Sequence, residues 1–271
     1  MRWAKRIAIT IMILLAAFAG LRIYIKKKLE RSTFVLNKER STAIDSALKS
    51  GIQRISFRNK ENILYTNWLF NNENSPSIFI LHGNSETISD WVRTQILLKE
   101  LGYNSFAFDY SGFGSSTGKP SIKTLETDTK AAWKFFDEIA PSSTSRIAFA
   151  HSLGTAVLIN NCNDISPAPS RMILHGTFSS AKDMTVHLKK INKEWTWILP
   201  DLWNNKKRIR TCKLPVCIIH SRSDELTPYT MSEQVAKNCT QCKLLLLDGY
   251  HHNDLYRKPD SALWMRLLNC Q

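Results

Sequence analysis

From Gly51 onward, short apolar runs alternate with longer amphipathic stretches. Ile52–Phe57 and Ile63–Phe70 read as an opening antiparallel pair of strands. Ser77–Leu81 (SIFIL), Ser105–Phe108 (SFAF), Arg146–Ala150 (RIAFA), Arg171–Leu174 (RMIL), Val216–Ile219 (VCII) and Lys243–Leu247 (KLLLL) read as further strands. Between them, residues 87–101, 122–139, 153–161, 229–238 and 260–269 carry helical patterns. Short apolar strands alternating with amphipathic helices predict a mostly parallel sheet with helices on both faces. The chain has no internal repeat and no low-complexity tract. Its irregular part, about 176–214, holds Trp195, Trp197 and Trp203. A long connection after a central strand is expected to form a lid over a site; the alternative is that these tryptophans pack a peripheral helix onto the core.

The N-terminus follows a different pattern. MRWAKR is basic, and Ile7–Ile25 is apolar except for Arg22; Lys26, Lys27 and Lys28 follow. Nineteen helical residues reach roughly 28 Å, close to the hydrocarbon thickness of a bilayer. Arg22 lies near the end, where it can snorkel, and Trp3 and Tyr24 sit where interfacial aromatics belong. A cleaved signal peptide is the competing reading, because Ala17-Phe18-Ala19 has the small-x-small form of a cleavage site. The apolar run resumes at Leu21, which favours an uncleaved single-pass anchor. Both flanks are basic, so the orientation stays open. Residues 1–29 are therefore expected to be the membrane anchor, 30–50 a linker or lead-in helix, and 51–271 a single domain large enough for a substantial core.

The net charge of +14 suggests nucleic acid only until it is mapped. Residues 1–40 hold ten Lys/Arg and two Asp/Glu, so +8 lies beside the apolar segment. That placement suits an anionic membrane surface, and no nucleic-acid-binding motif is present. Six cysteines occur. Cys239 and Cys242 have CxxC spacing, but neither a thioredoxin-like strand-to-helix context nor a second zinc-ligand pair accompanies them. They read as incidental thiols, or as one local disulfide if the domain lies outside the cytosol.

The chemistry sits at strand ends. Ser152, in Ala150-His151-Ser152-Leu153-Gly154, falls between the strand RIAFA and a helix. A serine on such a sharp turn is held above the sheet, and small residues two before and two after relieve the crowding. Taken alone, the pattern is also that of an ordinary N-cap. The other pieces add weight. Leu81-His82-Gly83-Asn84 follows SIFIL, and the N–H groups of Asn84 and Leu153 are expected to form an oxyanion hole. His82 reads as structural and Glu86 as a first-turn helix charge. Asp224 follows VCII, and His252 follows KLLLL within Tyr250-His251-His252-Asn253-Asp254. Ser152, Asp224 and His252 thus lie after the carboxyl ends of three of the strands, where open α/β sheets place their sites.

Those motifs, together with Phe108-Asp109-Tyr110-Ser111-Gly112-Phe113-Gly114-Ser115-Ser116-Thr117-Gly118, resemble the α/β-hydrolase superfamily, and within it the branch containing Bem46 and ABHD13-like proteins. The resemblance runs from about Ile52 to the C-terminus. It implies an α/β-hydrolase fold and a Ser152–Asp224–His252 triad. His252 is preferred over His251 because Asn253-Asp254 follows it. The branch is commonly membrane-associated. The expected activity is hydrolysis of an acyl ester, thioester or lipid ester through an acyl-enzyme, with no metal or organic cofactor. The alternatives are a peptidase or amidase on the same fold and a catalytically idle binding module, which the full set of site residues argues against. The expected partners are an acyl-bearing small molecule or lipid and the membrane, and the expected localisation is a single-pass membrane protein.

Overall fold

In a computed structural model, which describes residues 2–39, 41–142 and 144–270, the chain opens with α1 (Arg2–Thr33) and α2 (Ser41–Lys49). The body of the chain follows as β1 (Gln53–Asn59), β2 (Asn62–Leu69), β3 (Ser77–Leu81), α3 (Val92–Glu100), β4 (Asn104–Phe108), α4 (Ile122–Ile139), β5 (Arg146–His151), α5 (Leu153–Asn161), β6 (Arg171–His175), α6 (Ala181–His187), α7 (Asn205–Arg208), β7 (Val216–Ser221), α8 (Tyr229–Ala236), β8 (Cys242–Leu247), α9 (Asp254–Arg257) and α10 (Ser261–Asn269). The strands form one sheet in the order β1-β2-β4-β3-β5-β6-β7-β8. β2 is antiparallel to both neighbours; every other pairing is parallel.

The side-chain alternation of β3 explains the two cores. Ile78 and Ile80 join one buried cluster, while Phe79 and Leu81 join the other, on the opposite face. The first includes Trp91 from the turn before α3, Phe149 from β5 and Trp264 from α10; the second includes Phe106, Trp133 and Phe136 from β4 and α4. Phe79 is fully buried, with ring centroids 5.2–5.5 Å from those of Phe106, Phe108, Trp133 and Phe136. α5 is buried along nearly its whole length, which matches its continuous apolar run.

Chain order puts β4 on one side of β3 and β5 on the other. The loops leaving β3 and β5 therefore diverge, and the crevice between them is where parallel sheets accept ligands.

Several expectations change in detail. The first part of the expected 87–101 helix is a 3-10 turn at Ile88–Trp91, begun by Thr87 and Asp90. Residues 176–214 hold α6, a 3-10 turn at Lys193–Ile198 and α7. Their three tryptophans divide between the two readings. Trp203 is buried against Phe34 and Phe178, whereas Trp195 and Trp197 are exposed. α1 runs past the apolar segment to Thr33, and residues 34–39 then lie along the body rather than hanging free. Gly114 N–H donates to Asn37 O, Lys38 Nζ donates to Gly112 O, and the Glu39 carboxylate accepts from Arg54, Ser89 and Ser115.

Two disulfides are present. Cys239–Cys242 is the local one; Cys217–Cys270 ties β7 to the end of α10 across 53 residues, a pairing that spacing does not reveal. Cys162 and Cys212 are free and buried.

Truncating Phe79 to alanine removes the ring on which four aromatics converge. The expected loss is about 3–5 kcal/mol of folding stability, read by urea denaturation of the detergent-solubilised chain.

Candidate active site

The junction of β5 and α5 bends sharply at Ser152, which has φ 50° and ψ −115°. A non-glycine residue with positive φ costs energy, and such residues persist where the surroundings impose them. Two contacts impose it here. Ser152 N–H donates to His175 O at the end of β6, and Gly154 lies so close to β3 that a Cβ there would stand 2.5 Å from Leu81 O. The turn leaves Ser152 half-buried at the N-terminus of α5. Its Oγ forms no hydrogen bond among the described residues, and neither Leu153 N–H nor Asn84 N–H has a protein acceptor there.

Asp224 follows β7 in a tight turn. Its Oδ1 accepts from the N–H groups of Leu226 and Thr227, at 2.9 and 2.8 Å. Its Oδ2 lies 2.7 Å from His252 Nδ1 and 3.0 Å from His220 Nε2. Burial alone would raise this carboxyl; hydrogen bonds from His220 and His252 outweigh it and hold the group well below the usual carboxylate range. Of the adjacent histidines, His252 is buried on Asp224, while the His251 side chain is exposed and 3.1 Å from Glu225. The His252 ring lies 4.8 Å from that of His151, the residue before Ser152, and a Cβ on Gly176 would come within 3.2 Å of it. The fold thus joins Asp224 to His252 and sets the pair beside the elbow. It shows no hydrogen bond between Ser152 Oγ and His252; in proteins without substrate that contact is often long.

Glu86 is a correction. It does not lie in the first turn of a helix: it precedes Thr87, the cap of the 3-10 turn, and is buried beneath the loop after β3. Its Oε2 accepts from Gly83 N–H at 2.8 Å and from Trp91 Nε1 at 2.9 Å, and its Oε1 lies 3.3 Å from His151 Nε2. Burial raises its pKa to about 7, against the pull of His82 and the two hydrogen bonds. His151 is held well below its usual value by burial and by His252 and His175, and His175 falls to about 3 through burial, His220 and His252. A neutral His151 beside a Glu86 whose carboxyl keeps its proton up to about pH 7 avoids two buried charges below that pH. The signal in the sequence was the spacing Gly83-x-x-Glu86, which lets a carboxylate reach back to the loop's own N–H. His220 was also missed. Its Nδ1 lies 2.5 Å from Ser232 Oγ, and its Nε2 is 2.9 Å from Thr227 O. Only its place at the end of β7, four before Asp224, hinted at it.

The segment after α1 also reaches the site. Asn84 Oδ1 accepts from Val35 N–H at 2.9 Å, and Asn84 Nδ2 donates to Thr33 O at 2.8 Å. Asn37 Nδ2 donates to Ser85 O. His82 is structural in its contacts, with Nδ1 2.8 Å from Gly83 O and Nε2 3.4 Å from Asp109. Among the described residues, no group of His, Cys, Asp and Glu side chains has metal-binding geometry.

Comparison with known proteins places this architecture. Residues 72–209 match the family model described as serine aminopeptidase, S33, a stretch that includes Asn84 and Ser152 and stops before Asp224 and His252. The protein bem46 of Schizosaccharomyces pombe is 25% identical over 222 residues, covering 79% of this chain and 74% of that protein. A lysophosphatidylserine lipase, ABHD12, of Danio rerio is 25% identical over 213 residues, covering 68% of this chain and 55% of that one. The chain spans 63% of the length of a matching, uncharacterised Mycobacterium tuberculosis relative. Among solved structures, a Pyrococcus furiosus esterase superposes with a TM-score of 0.68 at 17% identity, covering 88% of this chain and 98% of the esterase, and so shares the fold.

A carboxyl whose folded-state pKa lies above its unfolded value keeps its proton longer in the folded chain. For Glu86, stability is therefore lost as pH rises from about 4.5 through about 7. His151 and His175 act in the opposite sense; the difference between the chain and a Glu86→Gln variant leaves Glu86 together with its coupling to His82. Between pH 5 and pH 8 that difference is expected to move in the variant's favour by about 3 kcal/mol at most, measured by urea denaturation.

Proposed function

Because the chain belongs to the serine aminopeptidase S33 family of α/β-hydrolases, we propose that it is a serine hydrolase that cleaves an acyl ester, thioester or lipid ester through Ser152, Asp224 and His252. The observation that carries this reading is the 2.7 Å contact between Asp224 and His252 beside a serine held at positive φ. In the proposed mechanism His252 Nε2 takes the Ser152 proton as Oγ attacks the acyl carbon. Asp224 fixes the imidazole with Nδ1–H toward it and stabilises the imidazolium that forms. Its strongly depressed pKa keeps it ionised throughout the working pH range. The tetrahedral oxyanion is held by the N–H groups of Leu153, at the positive end of α5, and Asn84. His252 then returns the proton to the leaving group, and water, deprotonated by the same imidazole, releases the acid. His220, on the same Asp224 oxygen as His252, shares its charge and helps to fix its rotamer.

An ester of lipid type is favoured over an amide by two features. Within Arg2–Leu29, α1 carries an apolar stretch long enough to cross a bilayer, and none of it is buried, as a segment that enters lipid would be. The relative with a named substrate class is a lipase. We read residues 7–25 as an uncleaved anchor that keeps the domain beside the membrane.

Ser152→Ala is expected to abolish both fluorophosphonate labelling and hydrolysis. His252→Ala and Asp224→Asn are each expected to lower kcat by about 10⁴. A panel of acyl esters, thioesters, lysolipids and aminoacyl amides identifies the substrate class; turnover of the amides alone would make the enzyme a peptidase. Fractionation with N-terminal sequencing tests the anchor. The expected result is a membrane-bound chain with an intact N-terminus, and a soluble chain beginning near Gly20 would show a cleaved signal.

A further inference from the structure

The tip of the connection between β6 and β7 lies against the wall of α1. Phe18 stacks on Trp197, with ring centroids 5.8 Å apart and planes inclined by 19°. Arg22 Nη2 donates to Leu199 O at 3.3 Å, and its guanidinium lies 6.0 Å from the Phe18 ring. These contacts fix the height of the tip along the helix. Phe18 is seven residues before Ile25, the end of the apolar run, so at the α-helical rise it lies roughly 10 Å inside that run. If α1 crosses a bilayer with residues 7–25 in the hydrocarbon, the tip that touches Phe18 stands at the same depth.

Its surface has the composition for that place. Beyond residue 50, the exposed large apolar side chains among the described residues are Leu188, Trp195, Trp197, Leu226 and Met265, and three of these five lie between 188 and 197. Trp195 and Trp197 are each 57% exposed, whereas Trp203, ten residues or less further on, is buried. Exposed tryptophans clustered beside an apolar helix are costly in water and favoured at the boundary between headgroups and acyl chains. Lys189, Lys190 and Lys193 are exposed around them, and Lys26, Lys27 and Lys28 stand on the adjoining turns of α1, where anionic headgroups would meet them. Arg22 is the one charge within the apolar run, and it is answered by a lid carbonyl instead of being left to lipid.

We propose that the 188–198 tip is embedded in the near leaflet of an anionic lipid bilayer, beside α1. The inference rests on reading α1 as a membrane anchor. It adds that the domain meets lipid through a second surface, so that the mouth between the lid and α1 opens toward the acyl-chain region. Between the connection and α1 lies a small, mainly apolar crevice whose lining includes Leu29, Phe34, Ile122, Leu199, Leu202 and Trp203.

The test is made on the full chain reconstituted in phosphatidylglycerol/phosphatidylcholine vesicles. Cysteines introduced as Trp195→Cys, Trp197→Cys, Phe18→Cys and Lys213→Cys, one at a time, carry an environment-sensitive fluorophore, and lipids spin-labelled at defined acyl positions serve as quenchers. The proposal expects blue-shifted emission and strong quenching at 195, 197 and 18, and neither at 213. Quenching at 18 without quenching at 195 and 197 overturns it while leaving the anchor intact. Absence of quenching at all four positions overturns both the proposal and the anchor on which it rests.

Discussion

The close approach of α5 to the end of β3 is the contact on which the site depends. Gly154 allows it, because any side chain there would collide with the carbonyls of Leu81 and His82. With α5 pressed that close, the chain leaving β5 has too little length for a relaxed turn, and Ser152 takes the positive φ that lifts its Oγ out of the sheet. The same approach brings the first N–H of α5 beside the loop after β3. Strain at one residue, the route of one loop and the place of one helix end are therefore consequences of a single packing distance.

Around that junction the polar groups are arranged so that burial does not leave charges unanswered. Asp224 remains ionised because two histidines and two backbone N–H groups converge on it. Glu86, where burial outweighs the pull of His82 and two hydrogen bonds, rises toward neutrality, while the histidines on either side of Ser152, His151 and His175, are driven to the neutral form. Similar burial has opposite outcomes for the two carboxyls because their hydrogen-bond donors differ. With His151 and His175 neutral, the charge that bears directly on the His252 imidazole is that of Asp224, while the Glu225 carboxylate holds the His252 backbone N–H.

The segment between α1 and α2 links the apolar helix to this machinery. Its backbone at Thr33 and Val35 grips the Asn84 side chain, and its Glu39 is buried among Arg54, Ser89 and Ser115. A stretch that looks in the sequence like a polar spacer is in the structure a strap along the loops that border the site. Its polarity has two sources that composition does not separate: side chains facing water, such as Lys38 in part, and side chains that replace water for the loops they touch.

The hydrophobic rhythm from Gly51 onward determined the strands, the helices between them and hence the layered parallel architecture, because burial on both faces of a sheet demands continuous apolar runs. The candidate residues Ser152, Asp224, His252 and Asn84 stood out for a related reason: each follows such a run closely, and local chain geometry carries a strand end into its loop. What only the tertiary structure decided depends on contacts between distant segments. The pairing of Cys217 with Cys270, the burial of Glu86 under Gly83 and Trp91, the second histidine on Asp224, and the grip of Thr33 and Val35 on Asn84 leave no periodicity along the chain. Trp203 and Trp197 are six positions apart in the same irregular connection, yet one packs into the core and the other lies open against α1. A tryptophan's sequence context states its size and apolarity; whether those are spent on the core or on an outer surface is settled by which surfaces the folded chain brings to meet it.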